Sequence, residues 1–198
     1  MPSHGNDPTQ ILKNLNQLFF FYLSRSIPRG RLVDAERVMN QAIDIQENRM
    51  ELEILDKKHF VVLMNALASK GKTEQTNQLF QRLKELHEKG AHRLEPNYQI
   101  LVILLSAIAK KRDRTSLQIG QNLLVMIEEF ILNDESADSV ITNHAYNVML
   151  DFYVRSPHVK NKREKVQMLI EHMKQLSVKH TNSFFFQMKA HVINSPPS

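Results

Sequence analysis

The sequence contains no cysteine and no tryptophan, and it has few glycines and prolines. The absence of cysteine excludes disulfides, thiol catalysis and cysteine-bound metal, and it fits a reducing compartment. The prolines lie near the ends or between apolar segments, which favours long helices joined by turns. The longest apolar run, LFFFYL at 18–23, is far too short to span a bilayer, and no charged segment followed by a long apolar one opens the chain. We therefore expect neither membrane insertion nor secretion.

The remaining composition is typical of a soluble globular domain. The chain has 198 residues, of which 42% are apolar and 24% charged, and this length suffices to bury a sizeable core. The formal net charge is +5, which favours an anionic partner without requiring one.

Apolar residues recur at helical spacing in four consecutive pairs of segments. In the first segment of each pair they follow the spacing i, i+3, i+4, i+7, with Ser26 as the one misfit: Phe19, Tyr22, Leu23, Ser26; Phe60, Leu63, Met64, Leu67; Leu101, Leu104, Leu105, Ile108; Tyr146, Met149, Leu150, Tyr153. In the second segment they follow i, i+1, i+4, i+7: Val38, Met39, Ala42, Ile45; Leu79, Phe80, Leu83, Leu86; Leu123, Leu124, Ile127, Phe130; Leu169, Ile170, Met173, Leu176.

The paired helices repeat at a nearly constant interval. The first stripes begin at Phe19, Phe60, Leu101 and Tyr146, so the period is 41, 41 and 45 residues. Tandem helix-turn-helix units of this length predict an all-α fold, an α-solenoid of about four stacked repeats forming a single domain over 1–198. The predicted repeats and C-terminal helix cover about residues 15–55, 56–96, 97–141, 142–180 and 181–194.

Two glycines support this register. Gly30 and Gly71 fall at the same place between paired helices, where a helix C-terminus favours a residue that tolerates positive φ. We therefore expect both glycines to end a helix in the left-handed conformation.

The repeats resemble those of the pentatricopeptide repeat family. The resemblance rests on HFVVLMNALASKGKTEQTNQLFQRLKEL at 59–86 and on AYNVMLDFYVRS at 145–156 with REKVQMLIEHMKQL at 163–176, and the repeats here are longer than the family norm. Tetratricopeptide repeats fit less well, since the chain lacks tryptophan and a Leu-Gly pair. The resemblance implies single-stranded RNA binding, with about one base read per repeat by two or three side chains.

The same resemblance implies which side chains read the bases. The implied pairs are Phe20 with Asp56, Val61 with Asn97, Val102 with Thr142, and Asn147 with His180. Phe20, Val61 and Val102 carry no hydrogen-bonding side chain, so base selectivity is expected to be weak. Asn147 is the best single candidate for a base reader, and the competing interpretation is that it caps the start of its own helix.

Basic residues concentrate in the predicted turns between paired helices. The candidates for phosphate contact are Arg29, Arg31, Lys70, Lys72, Lys110, Lys111, Arg112, Arg155, Lys160 and Lys162. In stacked repeats these turns would line one edge, which could follow a phosphate backbone and release its counterions. The alternative is that the same cations complement the dipoles of helix C-termini.

Patterns typical of enzymes are weak. The segment HEKGAH at 87–92 places its histidines five apart, which is the wrong spacing for a zinc helix, and a glycine interrupts it. No glycine-rich phosphate loop and no nucleophile turn occurs. We therefore expect no enzyme activity, catalytic residue, metal, cofactor or small-molecule substrate.

Two classes of function fit these patterns. The first is an organellar protein, in a mitochondrion or chloroplast by resemblance, that binds single-stranded RNA in its processing, stability or translation. The second is a helical-repeat scaffold for protein partners or a subunit of a larger assembly, for example a ribosomal one. The basic turns, AYN at 145–147 and EPN at 95–97 favour the first class, whereas apolar reading positions favour the second.

Overall fold

The predicted all-α class is confirmed by a computed structural model that describes residues 8–133 and 139–175. Eight helices and two short 3₁₀ turns, but no strand, occur in these ranges. The helices are α1 (Pro8–Ser26), α2 (Leu32–Asn48), α3 (Lys57–Ser69), α4 (Thr73–Glu88), α5 (Tyr98–Ala109), α6 (Arg114–Asn133), α7 (Ser139–Arg155) and α8 (Lys162–Gln175). The 3₁₀ turns are Met50–Leu52 and His92–Leu94. The predicted C-terminal helix at 181–194 lies outside the described residues.

The chain divides into two compact units, with the boundary between Pro96 and Asn97. This boundary falls between the second and third predicted repeats. Unit 1 contains α1 to α4, and unit 2 contains α5 to α8. Each unit therefore holds two of the predicted helix pairs.

Unit 1 consists of two helical hairpins side by side. Helix α1 packs against α2 and α3, α3 packs against α4, and α2 also contacts α4. The predicted stripes of the second pair are buried in full: Phe60, Leu63, Met64, Leu67, Leu79, Phe80, Leu83 and Leu86. The helical period thus identified this core correctly.

The inward face of α2 differs from the prediction. Met39 is buried as expected, but Ile45 is 49% exposed and Gln46 only 1% exposed. The Gln46 amide donates to the Met50 carbonyl (3.1 Å) and accepts from the Leu55 amide (3.2 Å). Because these two bonds hold the loop between α2 and α3, a polar side chain takes the inward position.

Unit 2 is built in the same way, with α5 against α6 and α7, α6 against α7, and α7 against α8. Its predicted first-helix stripes are buried: Leu101, Leu104, Leu105, Ile108, Tyr146, Met149, Leu150 and Tyr153. Gly120 in α6 permits this close packing, because a Cβ there would lie 3.3 Å from the Met149 sulfur.

Every turn between paired helices contains a residue with positive φ. Gly30 (φ 77°) and Gly71 (φ 71°) do so as predicted. Arg112 and Asn161, both at φ 53°, adopt the same conformation in unit 2. A residue in the left-handed conformation is therefore common to all four turns, although only two of them use glycine.

Gly71→Ala should lower the free energy of unfolding by about 1–2 kcal/mol, the cost of holding an L-residue in the left-handed region. No atom lies within 4 Å of the added Cβ, so the loss would report backbone strain alone. Urea denaturation measures it, with Gly71→Asn as the matched control because asparagine tolerates this conformation better. Equal stability of wild type and Gly71→Ala would contradict the assigned turn.

Candidate nucleic-acid interface

In unit 1, the two turns between paired helices lie next to each other. The Lys72 ammonium is 3.4 Å from the Glu36 carboxylate, and Glu36 lies near the start of α2. This ion pair places the turn at 70–72 beside the end of the turn at 27–31. We call these two turns the unit 1 turn edge.

The unit 1 turn edge is basic. Arg29, Arg31 and Lys70 are exposed, whereas the side chain of Lys72 is partly covered and paired with Glu36. Three of the four predicted phosphate contacts of this unit are therefore open to a ligand on one edge.

In unit 2, a hydrogen bond joins the corresponding turns directly. The hydroxyl of buried Ser156 donates to the Arg112 carbonyl at 3.1 Å. The turns at 110–113 and 156–161 are therefore adjacent, and we call them the unit 2 turn edge. Lys110, Lys111 and Lys160 are exposed on it.

Three other cations near the unit 2 turn edge, Arg112, Arg155 and Lys162, contact acceptors within the fold. Asp151 accepts from Arg155 Nε at 2.6 Å and lies 3.8 Å from Arg112 Nη2. Lys162 Nζ donates to the Val154 carbonyl at 3.0 Å. A phosphate at Arg112 or Arg155 would have to share the guanidinium with Asp151. Lys110, Lys111 and Lys160 are candidates because their side chains are exposed.

Sequence reasoning missed two further polar side chains at the unit 2 turn edge. One is Asp151, which lies one helical turn before the end of α7, and only helical i, i+4 spacing to Arg155 could have indicated it. The other is His158, an exposed side chain in the turn itself.

Asp113 remains an acid within this basic edge. Its carboxylate accepts from the Ser116 backbone N–H at 2.6 Å. This bond, together with the Ser116 hydroxyl and nearby Lys111 and His158, lowers the pKa of Asp113. Asp113 is therefore ionised at neutral pH and stabilises the start of α6.

Two predicted base readers serve as helix caps. The Asp56 carboxylate accepts from the Lys58 amide at 3.3 Å at the start of α3. The Asn97 side chain accepts from the Ile100 amide at 3.2 Å at the start of α5. Both side chains are half-buried, and a base edge would compete with these caps for the same oxygens.

The apolar reading positions differ in exposure. Val102 is 3% exposed and belongs to the core, whereas Val61 and Phe20 are half-buried. The partners that the resemblance assigns to Val102 and Asn147, the side chain of Thr142 and residue His180, lie outside the described part of the chain.

Asn147 lies inside a helix rather than at its start. Helix α7 begins at Ser139, so the interpretation of Asn147 as a helix cap is wrong. Its side chain is half-buried. Of the predicted hydrogen-bonding readers that the structure describes, Asn147 is the one that does not cap a helix.

Neither a metal cluster nor a membrane span occurs among the described residues. The rings of His87 and His92 lie 6.4 Å apart between centroids, but no group of three or more potential metal ligands forms in these ranges. Likewise, no described helix combines the length and apolarity needed to cross a membrane.

Comparison with known proteins gives no assignment. The chain matches no protein-family model, and no curated protein is significantly similar to it in sequence. The pentatricopeptide resemblance therefore stays a prediction from the residues themselves.

Proposed function

We propose that the chain is an α-solenoid of pentatricopeptide type that binds single-stranded RNA in a mitochondrion or chloroplast and acts in RNA processing, stability or translation. One observation carries the proposal: in each unit the two turns between paired helices are adjacent and present exposed cations. Arg29, Arg31 and Lys70 do so in unit 1, and Lys110, Lys111 and Lys160 do so in unit 2.

Binding through these turn edges is mainly electrostatic. Lysine and arginine that neutralise phosphates release condensed counterions, and this contribution is independent of base sequence. A helix C-terminus attracts cations through its dipole, but that effect does not require three exposed cations on the unit 1 turn edge and three more on the unit 2 turn edge.

Base selectivity is weak under this proposal. Asp56 and Asn97 cap their own helices, and Val102 is buried. Asn147 lies inside α7, and it is the main candidate for a base-edge contact because its amide both donates and accepts. One such contact discriminates between bases by about 1–3 kcal/mol.

The experiment is fluorescence anisotropy of the purified chain with single-stranded RNA, duplex RNA and single-stranded DNA over a salt series. We expect single-stranded RNA to bind most tightly, with an affinity that falls steeply as salt rises. Absence of RNA binding at low salt would reject the proposal.

Asn147→Ala should remove most of the difference in affinity between homopolymer RNAs while leaving phosphate-driven binding nearly unchanged. Competition with the four homopolymers measures it. Asn97→Ala is the matched control, because it costs about 1 kcal/mol of stability through a lost cap but should keep the preference. A full preference in Asn147→Ala would remove Asn147 as a reader.

A second candidate is a helical-repeat scaffold for proteins, or a subunit of a larger assembly. It is favoured by the engagement of Asp56, Asn97 and Val102 within the fold, which leaves few groups for reading bases. A chain that binds no RNA but joins a defined protein complex would support it.

A further inference from the structure

The exposed face of α1 carries large side chains beside the unit 1 turn edge. Leu18 is 64% exposed, Phe21 54% and Tyr22 37%, and Arg25 is exposed as well. Residues three and four apart are neighbours on a helix surface, so these four side chains form one continuous surface. We call it the α1 patch (Leu18, Phe21, Tyr22 and Arg25).

The charge of the α1 patch suits an anion. The Arg25 guanidinium lies over the Phe21 ring, 4.5 Å from its centroid. Helix α1 itself contains no acidic residue. Cations beside exposed aromatic rings are the combination that holds unpaired bases together with their phosphates.

The α1 patch is also continuous with the proposed phosphate-binding edge. Arg25 lies in the last turn of α1, and the turn at 27–31 with Arg29 and Arg31 follows directly. Phe21 lies one helical turn before Arg25, about 6 Å along the α1 axis, so the α1 patch leads directly into this turn.

We infer that the α1 patch is a stacking platform for unpaired RNA bases, with Phe21 and Tyr22 as the stacking rings and Arg25 as a phosphate contact. This inference rests on the proposed function and adds a base contact outside the reading positions. It tolerates any sequence, because every base has a π-face. A partner helix with aliphatic side chains would need only an apolar surface here, and neither the aromatic rings nor the charge of Arg25 would be required.

The test compares two RNAs of equal length, one with all its bases and one abasic over its central part. The variant Phe21→Leu with Tyr22→Leu keeps apolar side chains but removes both rings. We expect it to weaken binding of the base-containing RNA roughly 5- to 100-fold, to leave the abasic RNA unchanged, and to keep the wild-type salt slope. Val33→Ala, an exposed apolar residue just beyond the turn (71% exposed), is the control and should bind both RNAs as wild type does.

Single variants Phe21→Leu and Tyr22→Leu, with their melting temperatures, separate stacking from misfolding. A double variant that binds base-containing RNA as tightly as wild type would overturn the platform while leaving the proposed function intact. Equal weakening toward both RNAs would also overturn it. Wild type that binds neither RNA would reject the proposed function and the platform together. Self-association that Leu18→Glu abolishes, with RNA binding unaffected by the double variant, would assign the α1 patch to a protein contact instead.

Discussion

Replacing Lys110, Lys111 and Lys160 together by alanine should weaken single-stranded RNA binding roughly 100-fold at about 0.1 M salt. Each phosphate contact to a single strand contributes about 0.7 to the slope of log K against log salt, so the slope should become shallower by about 2. All RNA sequences should lose affinity alike, because phosphate contacts carry no sequence information. Anisotropy titrations at four or more salt concentrations measure both quantities.

The matched control removes the same charge elsewhere. Lys13, Arg49 and Lys84 are also exposed, but they lie toward the opposite end of unit 1, in the first half of α1, just after α2 and in the second half of α4. Their triple alanine variant should keep most of the affinity and slope. Equal losses in the two variants would mean that net charge alone drives binding. We leave Arg112 unchanged, because its φ of 53° and its contact with Asp151 would add effects on folding.

His59→Ala should lower the stability of unit 1 by about 2–4 kcal/mol, the usual cost of a cavity together with lost buried hydrogen bonds. Nδ1 of His59 accepts from the Asp56 amide at 2.9 Å, and Nε2 donates to the Asn16 carbonyl at 3.1 Å. One buried ring therefore completes the capping box of α3 and fastens α1 to α3. Hydrogen exchange of α3 amides measures the loss, and α5 amides serve as the internal reference.

A conservative variant separates the two roles of His59. His59→Gln can still accept from the Asp56 amide, as glutamine does in capping boxes, so it should cost clearly less than His59→Ala. If His59→Ala lowers the free energy of unfolding by less than about 1 kcal/mol, the two hydrogen bonds of the ring contribute little to holding α1 against α3.

The same ring makes the stability of unit 1 depend on pH. Burial, assisted by Lys58, lowers the pKa of His59, and a proton on Nδ1 would face the Asp56 N–H. Since the unfolded chain binds this proton more tightly, the contribution is complete above the unfolded value of about 6.5 and is lost as the pH falls below it. Wild type should therefore lose more stability between about pH 7 and pH 5 than His59→Gln does.

The helical period predicted much of the core correctly. The stripes beginning at Phe60, Leu79, Leu101 and Tyr146 are all buried, because a 3.6-residue period reports directly which side of a helix meets its neighbours. The period failed in α2, where Gln46 rather than Ile45 faces inward, because apolar spacing carries no information about the hydrogen bonds of Gln46 to the loop that follows.

The candidate site was harder to predict than the core. Family resemblance assigned Asp56 and Asn97 to base reading, but both side chains cap helices. A short polar side chain just before a helix accepts from the unpaired backbone N–H groups of the first turn, with or without a ligand. At Asn147 the competing interpretation as a helix cap was wrong, because the residue lies inside α7. Within each unit the two turns are adjacent, as the prediction of a turn edge requires, and a single edge along all four repeats stays a prediction. The ion pairs of Asp151 with Arg112 and Arg155 could not be predicted from the basic residues alone.

The measurement that tests the central claim most directly is quantitative lysine acetylation with and without single-stranded RNA, read by mass spectrometry. Binding through the turn edges predicts slower acetylation of Lys70, Lys110, Lys111 and Lys160 in the presence of RNA, and unchanged acetylation of Lys84 and Lys89. Protection of Lys84 and Lys89 instead, or equal acetylation of all six lysines with saturating RNA, would contradict it.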